Sequence, residues 1–167
     1  MSTAIAEAST SPSLSPANVL STAHSQEIKE FHFHTYFFQT NPDSIAAARA
    51  FRAQIETLIE QGYFHVVLQA WRGGINTTPL GPHVVGSFET WVPIEYFARA
   101  FGWFAQNRGE FSILVHPLTK DEIIDHTARA VWLGQPVPLD FKVLRERLDE
   151  IPLQYPELGL GYSAKEK

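Results

Sequence analysis

The run Glu30-Phe31-His32-Phe33-His34-Thr35-Tyr36 alternates strictly between two kinds of side chain. Successive residues of a β-strand point to opposite faces. A strand over residues 31–38 therefore sends Phe31, Phe33 and Phe37 to one side and His32, His34 and Tyr36 to the other. One face packs on a core. The other presents two imidazoles roughly 7 Å apart along the strand, near enough for both to reach one metal ion or one small polar ligand. A lone His-x-His pair reads equally well as two histidines on a half-exposed strand. Here the alternation recurs on three further stretches.

Residues 63–71 set Phe64, Val66, Leu68 and Ala70 against His65, Val67, Gln69 and Trp71. A third strand, over 83–92, sets Val84, Gly86, Phe88, Thr90 and Val92 against His83, Val85, Ser87, Glu89 and Trp91. A fourth, over 110–116, turns Phe111, Ile113 and Val115 inward and Ser112, Leu114 and His116 outward.

Helices separate these strands. Asn41-Pro42-Asp43 supplies an N-cap, a proline at the first helical position and an acid in the first turn. Ile45, Ala48, Phe51, Ile55, Leu58 and Ile59 then follow the helical period up to Gly62, which reads as the residue that ends the helix. A second helix starts at Pro93, with Ile94, Phe97, Phe101 and Phe104 as its apolar stripe, and stops before the turn Asn107-Arg108-Gly109.

The order strand, helix, strand, strand, helix, strand predicts an α+β fold. It is a ferredoxin-like βαββαβ sandwich, an antiparallel sheet with two helices on one face. Beyond the fourth strand we expect a short polar helix over 119–130, an extended stretch over 134–139 and a last helix over 141–150. The end, from about Pro152, is expected to be loose or to pack on a neighbouring subunit. Residues 1–28, rich in Ser, Thr, Ala and Pro, read as a disordered or loosely attached arm that holds His24. The domain then spans 29–145, followed by a tail over 146–167.

The chain has no cysteine, so disulfides, thiolate metal sites and cysteine nucleophiles are excluded, and any metal must be held by histidine and carboxylate. The formal charge is -5 with no basic run, which argues against a nucleic-acid partner. No apolar run approaches the ~20 residues a membrane helix needs. The first residues lack the pattern of a signal peptide, so the default localisation is cytoplasmic.

In this fold the face away from the helices carries His32, His34, His65, His83, His116 and Glu89. Of the six histidines in the folded region, five fall on that parity. His126 follows the fourth strand in the run Asp121-Glu122-Ile123-Ile124-Asp125-His126. Two imidazoles with a carboxylate suit non-haem Fe(II), and three imidazoles resemble catalytic zinc. Glu89, Asp121 or Asp125 could supply the carboxylate. The fourth strand should flank the first, with His116 near its start, so His32, His34 and His116 are the first choice of ligands. His83 should lie nearer the far end of the first strand.

Blander readings exist for several of these groups. His65 reads as an ordinary surface or interface histidine. His126 could merely bond within the short helix, and Glu89 could serve only in a cross-strand ion pair. Trp71, Trp91, Trp103 and Trp132 read as core or interface residues. Arg72, Arg108 and Arg129 are exposed by default, yet any one could bind a substrate carboxylate bidentately.

A family likeness rests on Phe31-His32-Phe33-His34, Gly81-Pro82-His83, Asn107-Arg108-Gly109, Val115-His116-Pro117, Asp125-His126-Thr127 and Ala130-Val131-Trp132-Leu133-Gly134. In this order and spacing the chain resembles the DOPA 4,5-dioxygenase family of small extradiol ring-cleaving dioxygenases, over roughly residues 30–141. The resemblance implies a homodimer. It also implies a non-haem Fe(II) enzyme that opens a catechol such as DOPA with O2. His32, His34, His83, His116 and His126 match the family's histidine positions, and His65 has no counterpart. Many relatives read Gly-Pro-His-Pro where Val84 follows His83 here. An imidazole titrates near working pH and suits acid–base duty; His126 is the first candidate, with whichever of His83 or His32 is not a ligand as the second. Zinc or another divalent metal in the same site is the alternative cofactor. Two other functions fit the residues alone: a dimeric α+β barrel module that binds a small aromatic without catalysis, and a zinc-dependent hydrolase.

Overall fold

The computed structural model describes residues 27–65, 67–68 and 74–165. The arm expected over 1–28, with His24, lies almost wholly outside the described residues, as do Trp71 and Arg72. The described strands are β1 (Glu30–Phe37), β2 (Val67–Leu68), β3 (Gly86–Pro93), β4 (Ser112–Pro117) and β5 (Val131–Leu133). The helices are α1 (Pro42–Glu60), α2 (Phe97–Asn107) and α3 (Glu122–His126).

The sheet order is β2-β3-β1-β4-β5, and every neighbouring pair is antiparallel. The first four strands reproduce the ferredoxin-like arrangement read from the sequence. β5 is an edge strand beyond the four expected. It is only three residues long, too short for alternation to register.

Helix α1 begins as its cap residues dictate. The Asn41 side-chain oxygen accepts from the backbone N–H of Asp43 at 2.9 Å and of Ser44 at 3.2 Å. At the other end Gly62 adopts φ +71° and its N–H donates to the Ile59 carbonyl, which closes the helix. Helix α2 is preceded by a 3-10 turn over Ile94–Tyr96.

Both long helices lie on one face of the sheet. Phe33, Phe37, Phe88, Val92, Ile113 and Val115 from the central strands meet Ala48, Phe51, Ile55, Ala100 and Phe104 from the helices. Phe33 sits with its ring 5.0 Å from that of Phe104. Each large apolar side chain buried here contributes about 1.5–3 kcal/mol, so the phenylalanine parity of β1 drives that face inward. The histidine parity has no choice but the opposite face.

The structure corrects several expectations. His83 does not lie in β3. It sits before the strand in a turn, bridged to Leu80 and Leu139, where Gly81 takes φ +55° and Pro82 cannot donate to a ladder. The helix expected over 119–130 shrinks to Glu122–His126, because Asp125 accepts from the backbone and hydroxyl of Thr119 and pulls the preceding chain into a turn. Residues 141–150 form only a 3-10 turn over Phe141–Val143. The end of the chain, expected to be loose or on a neighbouring subunit, packs on its own sheet. Tyr155 is buried, the Tyr162 N–H donates to Glu30 Oε1 at 3.1 Å, and the Tyr162 hydroxyl donates to the Leu118 carbonyl at 2.7 Å.

Candidate metal centre

The site grows from the register of β1. This central strand has β3 on one side and β4 on the other, so a side chain on its open face has neighbours on both flanks. His32 lies opposite His116 of β4 and opposite Trp91 of β3, and His34 lies opposite Glu89. Directly paired side chains in a sheet start about 4.5–5.5 Å apart, which is why residues distant in sequence become immediate neighbours. The turn before β3 delivers His83 and helix α3 delivers His126. Their rings lie 4.1 Å from His34 and 3.9 Å from His116.

His32, His34 and His116 are all buried, and one ring nitrogen from each falls within 4.8 Å of the other two. The closest approach is His34 Nε2 to His116 Nε2, at 3.0 Å. Two nitrogens bound at about 2.1 Å to neighbouring positions at right angles on one ion would also stand about 3.0 Å apart. The donor set and its spacing therefore fit a first-row divalent metal, for which neutral imidazole is a suitable ligand.

Hydrogen bonds fix which nitrogens keep a lone pair. His116 Nδ1 donates to the Pro117 carbonyl at 2.8 Å, which leaves Nε2 facing His34 as an acceptor or ligand atom. His126 Nδ1 donates to the Glu122 carbonyl at 2.8 Å, so its Nε2 also keeps a lone pair. His83 shows the opposite pattern. The buried Tyr36 hydroxyl is 2.7 Å from His83 Nδ1. A buried hydroxyl proton must be donated somewhere, so His83 Nδ1 accepts it and Nε2 carries hydrogen. Trp132 packs its ring 5.5 Å from Tyr36 and holds it in place.

Electrostatics follow burial. Desolvation first, and the neighbouring imidazoles second, push His34 well below the ordinary histidine value, and burial does the same to His116. Burial brings His83 down to about 4 and also lowers His126. These rings are neutral at neutral pH, the form that binds metal. His32 is the exception. Burial alone would lower it, but Glu89 Oε1 stands 2.7 Å from its Nδ1 and holds it above the usual value. Reciprocally, burial would raise Glu89, and His32 keeps it below the usual carboxylate range. A histidine that donates its second N–H to a carboxylate is a recurrent support for metal ligands. Glu89 takes that place here, and it also lies 3.7 Å from His34 Nε2.

The other carboxylates suggested by the sequence are engaged elsewhere. Asp125 pairs with Arg129 at 2.8 Å, and Asp121 pairs with Arg129 at 3.4 Å and with Arg147 at 2.5 Å. Arg129 is thereby occupied. Arg108 donates to the carbonyls of Gly109 and Phe111. Among the described residues, no arginine lines the cleft above the histidines. The cleft has a volume of about 260 Å³ and is walled by Leu80, His83, Glu89, Leu118, Glu122 and Leu144, among others. That is slightly below the roughly 300–1,000 Å³ usual for small-molecule pockets, so it suits a compact ligand. His65 is exposed and its ring rests against Tyr96, 5.2 Å away. Of the indoles, Trp91 stacks on His32 at 5.9 Å and Trp103 packs on Phe51 in the core.

Two contacts have no signal in the sequence. Tyr36 shares the parity of His32 and His34, so its place on the face is readable, but not its bond to His83. Gln154 comes from the C-terminal segment, and its Oε1 lies 2.8 Å from His32 Nε2. Nothing periodic surrounds Gln154, so no local pattern points to it.

A ferredoxin-like sheet with converging, mostly neutral imidazoles under a small cleft defines an α+β protein whose histidine cluster fits a metal ion. Comparison with known proteins narrows this. The sequence profile of the Dopa 4,5-dioxygenase family matches residues 31–143, and the chain belongs to that family. It is 47% identical over 155 residues to the DOPA 4,5-dioxygenase of Amanita muscaria, across 93% of this chain and 67% of that protein. It is 34% identical over 124 residues to an uncharacterized 21.2 kDa protein of Botryotinia fuckeliana, across 69% of this chain and 63% of that one. The fold is similar to that of a candidate dioxygenase of Nostoc punctiforme solved by crystallography. The TM-score is 0.55 and the identity 30%, over 71% of this chain and 92% of the other.

Proposed function

We propose that this chain is an extradiol ring-cleaving dioxygenase that opens a catechol such as DOPA with O2 at a histidine-held non-haem iron. The observation that carries the reading is the convergence of His32, His34 and His116 in the cleft of a chain belonging to this family. The family supplies the reaction class, and the donor set supplies a place for the metal. His34 and His116 would hold Fe(II) through Nε2, with His32 as third ligand and Glu89 steadying it. An iron ion held by these residues would supply Lewis-acid and O2-activating chemistry that no side chain provides.

The remaining residues handle protons and shape. A catechol must lose a proton to bind as an anion, and His126 Nε2, neutral and unprotonated, is the base beside His116. His83 presents N–H from the other side, set by Tyr36, and donates to oxygen as charge builds there. Leu80, Leu118 and Leu144 exclude water from the ring. In the overall reaction a ring carbon–carbon bond beside the diol breaks, and both atoms of O2 enter the product as an aldehyde and a carboxyl group. No helix among the described residues is long and apolar enough to cross a membrane.

The test is anaerobic loading with Fe(II), then DOPA and air, with oxygen uptake and visible absorbance recorded. One O2 consumed per DOPA with a yellow product is the expected result. His126→Ala should keep the metal and lower turnover by roughly 10²–10⁴-fold, whereas His116→Ala should lose the metal. Absence of uptake with DOPA and simpler catechols by the iron-loaded protein would sink the proposal.

A further inference from the structure

Both nitrogens of His32 are engaged. Nδ1 meets the Glu89 carboxylate at 2.7 Å, and Nε2 meets the Gln154 side-chain amide at 2.8 Å. A metal can take His32 only if one of these partners gives way. The carboxylate contact is charge-assisted and is the arrangement that supports histidine ligands in metal sites. The amide contact is the weaker of the two. It blocks Nε2 whichever way round the amide stands. With its oxygen toward the ring, Gln154 holds a proton on Nε2; with its NH2 toward the ring, it donates into the lone pair.

Gln154 is not an isolated side chain. It belongs to residues 152–163, which lie beyond the stretch matched by the family profile. That segment is docked at a few discrete points. Tyr155 is 1% exposed, and its ring stands 6.4 Å from Trp91, which in turn stacks on His32. The Gly161 N–H donates to the Glu95 carboxylate at 3.2 Å, and the Tyr162 N–H donates to Glu30 Oε1 at 3.1 Å. A side chain at Gly161 would come within 2.6 Å of Glu30 Cγ, so the close approach requires glycine. The segment therefore has a defined seat, and one of its contacts falls on a nitrogen that the metal needs.

We propose that Gln154 competes with the metal for Nε2 of His32, so that metal loading and release of residues 152–163 are one coupled event. This rests on the metal-centre reading above. Gln154 is a positioning residue that acts through His32. In linkage terms the site is competent only in the fraction of molecules whose Gln154 has let go, and the apparent affinity falls by that fraction.

The experiment uses the full chain and Co(II) as the probe, titrated against a chelator and followed by its visible absorption. Amide exchange of residues 152–163 is measured with and without Co(II). Gln154→Ala should bind Co(II) roughly tenfold more tightly than the unaltered protein, as expected for loss of a hydrogen bond to a charged group. Co(II) should speed exchange across 152–163 in the unaltered protein and have little effect on it in Gln154→Ala. A purely structural role for Gln154 would lower stability without tightening metal binding. Equal or weaker affinity in Gln154→Ala, or exchange indifferent to Co(II), overturns the coupling. His116→Ala separates the two readings. If the unaltered protein binds Co(II) and His116→Ala does not, only the coupling is at stake. If neither binds Co(II), the metal-centre reading falls and the coupling with it.

Discussion

Acid should unfold this protein early, because its imidazoles are buried in neutral form. The perturbation is a fall in pH from about 7.5 to about 5 with chelator present. Burial lowers His83 to about 4 in the folded chain, from the ordinary 6.5. Above about pH 6.5 the folded and unfolded chains both hold this ring neutral, and it contributes nothing to pH dependence. Between those values the unfolded chain takes up a proton that the folded chain refuses, so stability falls as pH falls. At about pH 5 one such group costs about 2 kcal/mol. His34, His116 and His126 are also lowered by burial and act in the same direction. His32, raised through Glu89, acts oppositely, since its contribution is present at low pH and lost as pH rises. Four lowered rings against one raised ring leave a net loss of stability as pH falls through this window. The loss of about 2 kcal/mol from His83 alone is a substantial part of the roughly 5–15 kcal/mol typical of a folded domain.

Urea unfolding at the two pH values is the assay. With a slope of about 2 kcal/mol/M the midpoint should drop by on the order of 1 M. His83→Gln, which removes one titrating ring, should recover about 2 kcal/mol of that loss. Midpoints within about 0.3 M of each other would refute the reasoning, because they would mean that the imidazoles protonate freely within the fold.

Two further outcomes follow from the same contacts. Glu89→Gln keeps the shape beside His32 but removes the charge, and it should weaken metal binding by about 10–100-fold; an unchanged affinity in a chelator competition would show that the carboxylate does not support the site. Tyr36→Phe removes the hydroxyl that sets the His83 tautomer. It should lower kcat roughly three- to tenfold, the equivalent of one hydrogen bond, with metal affinity unaltered; a loss of metal instead would place Tyr36 in the ligand framework.

The face of each central strand is legible in the sequence alone, for a simple reason. Side chains alternate along a strand, and phenylalanine at positions 31, 33 and 37 can be satisfied on only one side. Binary alternation therefore determines that His32, His34 and His116 share the open face, and the caps at Asn41 and Gly62 bound the first helix. His126 joins the candidates only through its resemblance to a family pattern. Its ring reaches His116 because a short helix turns back over the sheet.

Tertiary structure alone decided the rest, because it depends on contacts between residues far apart in the chain. Glu89 reads equally as a site member or as an ion-pair partner, and the register of β1 with β3 places it against His32 and His34 at once. Asp121 and Asp125 have the right chemistry for ligands, yet Arg129 and Arg147 claim them. The C-terminal segment is the least legible part. Its residues carry no period and few strong local signals, since its conformation comes from docking on Glu30, Glu95 and Leu118 rather than from its own preferences. The sequence by itself determined which face holds the histidines, through the period of a strand. Only the folded chain decided which nitrogens are free, because that depends on partners such as Gln154, 122 residues away from His32.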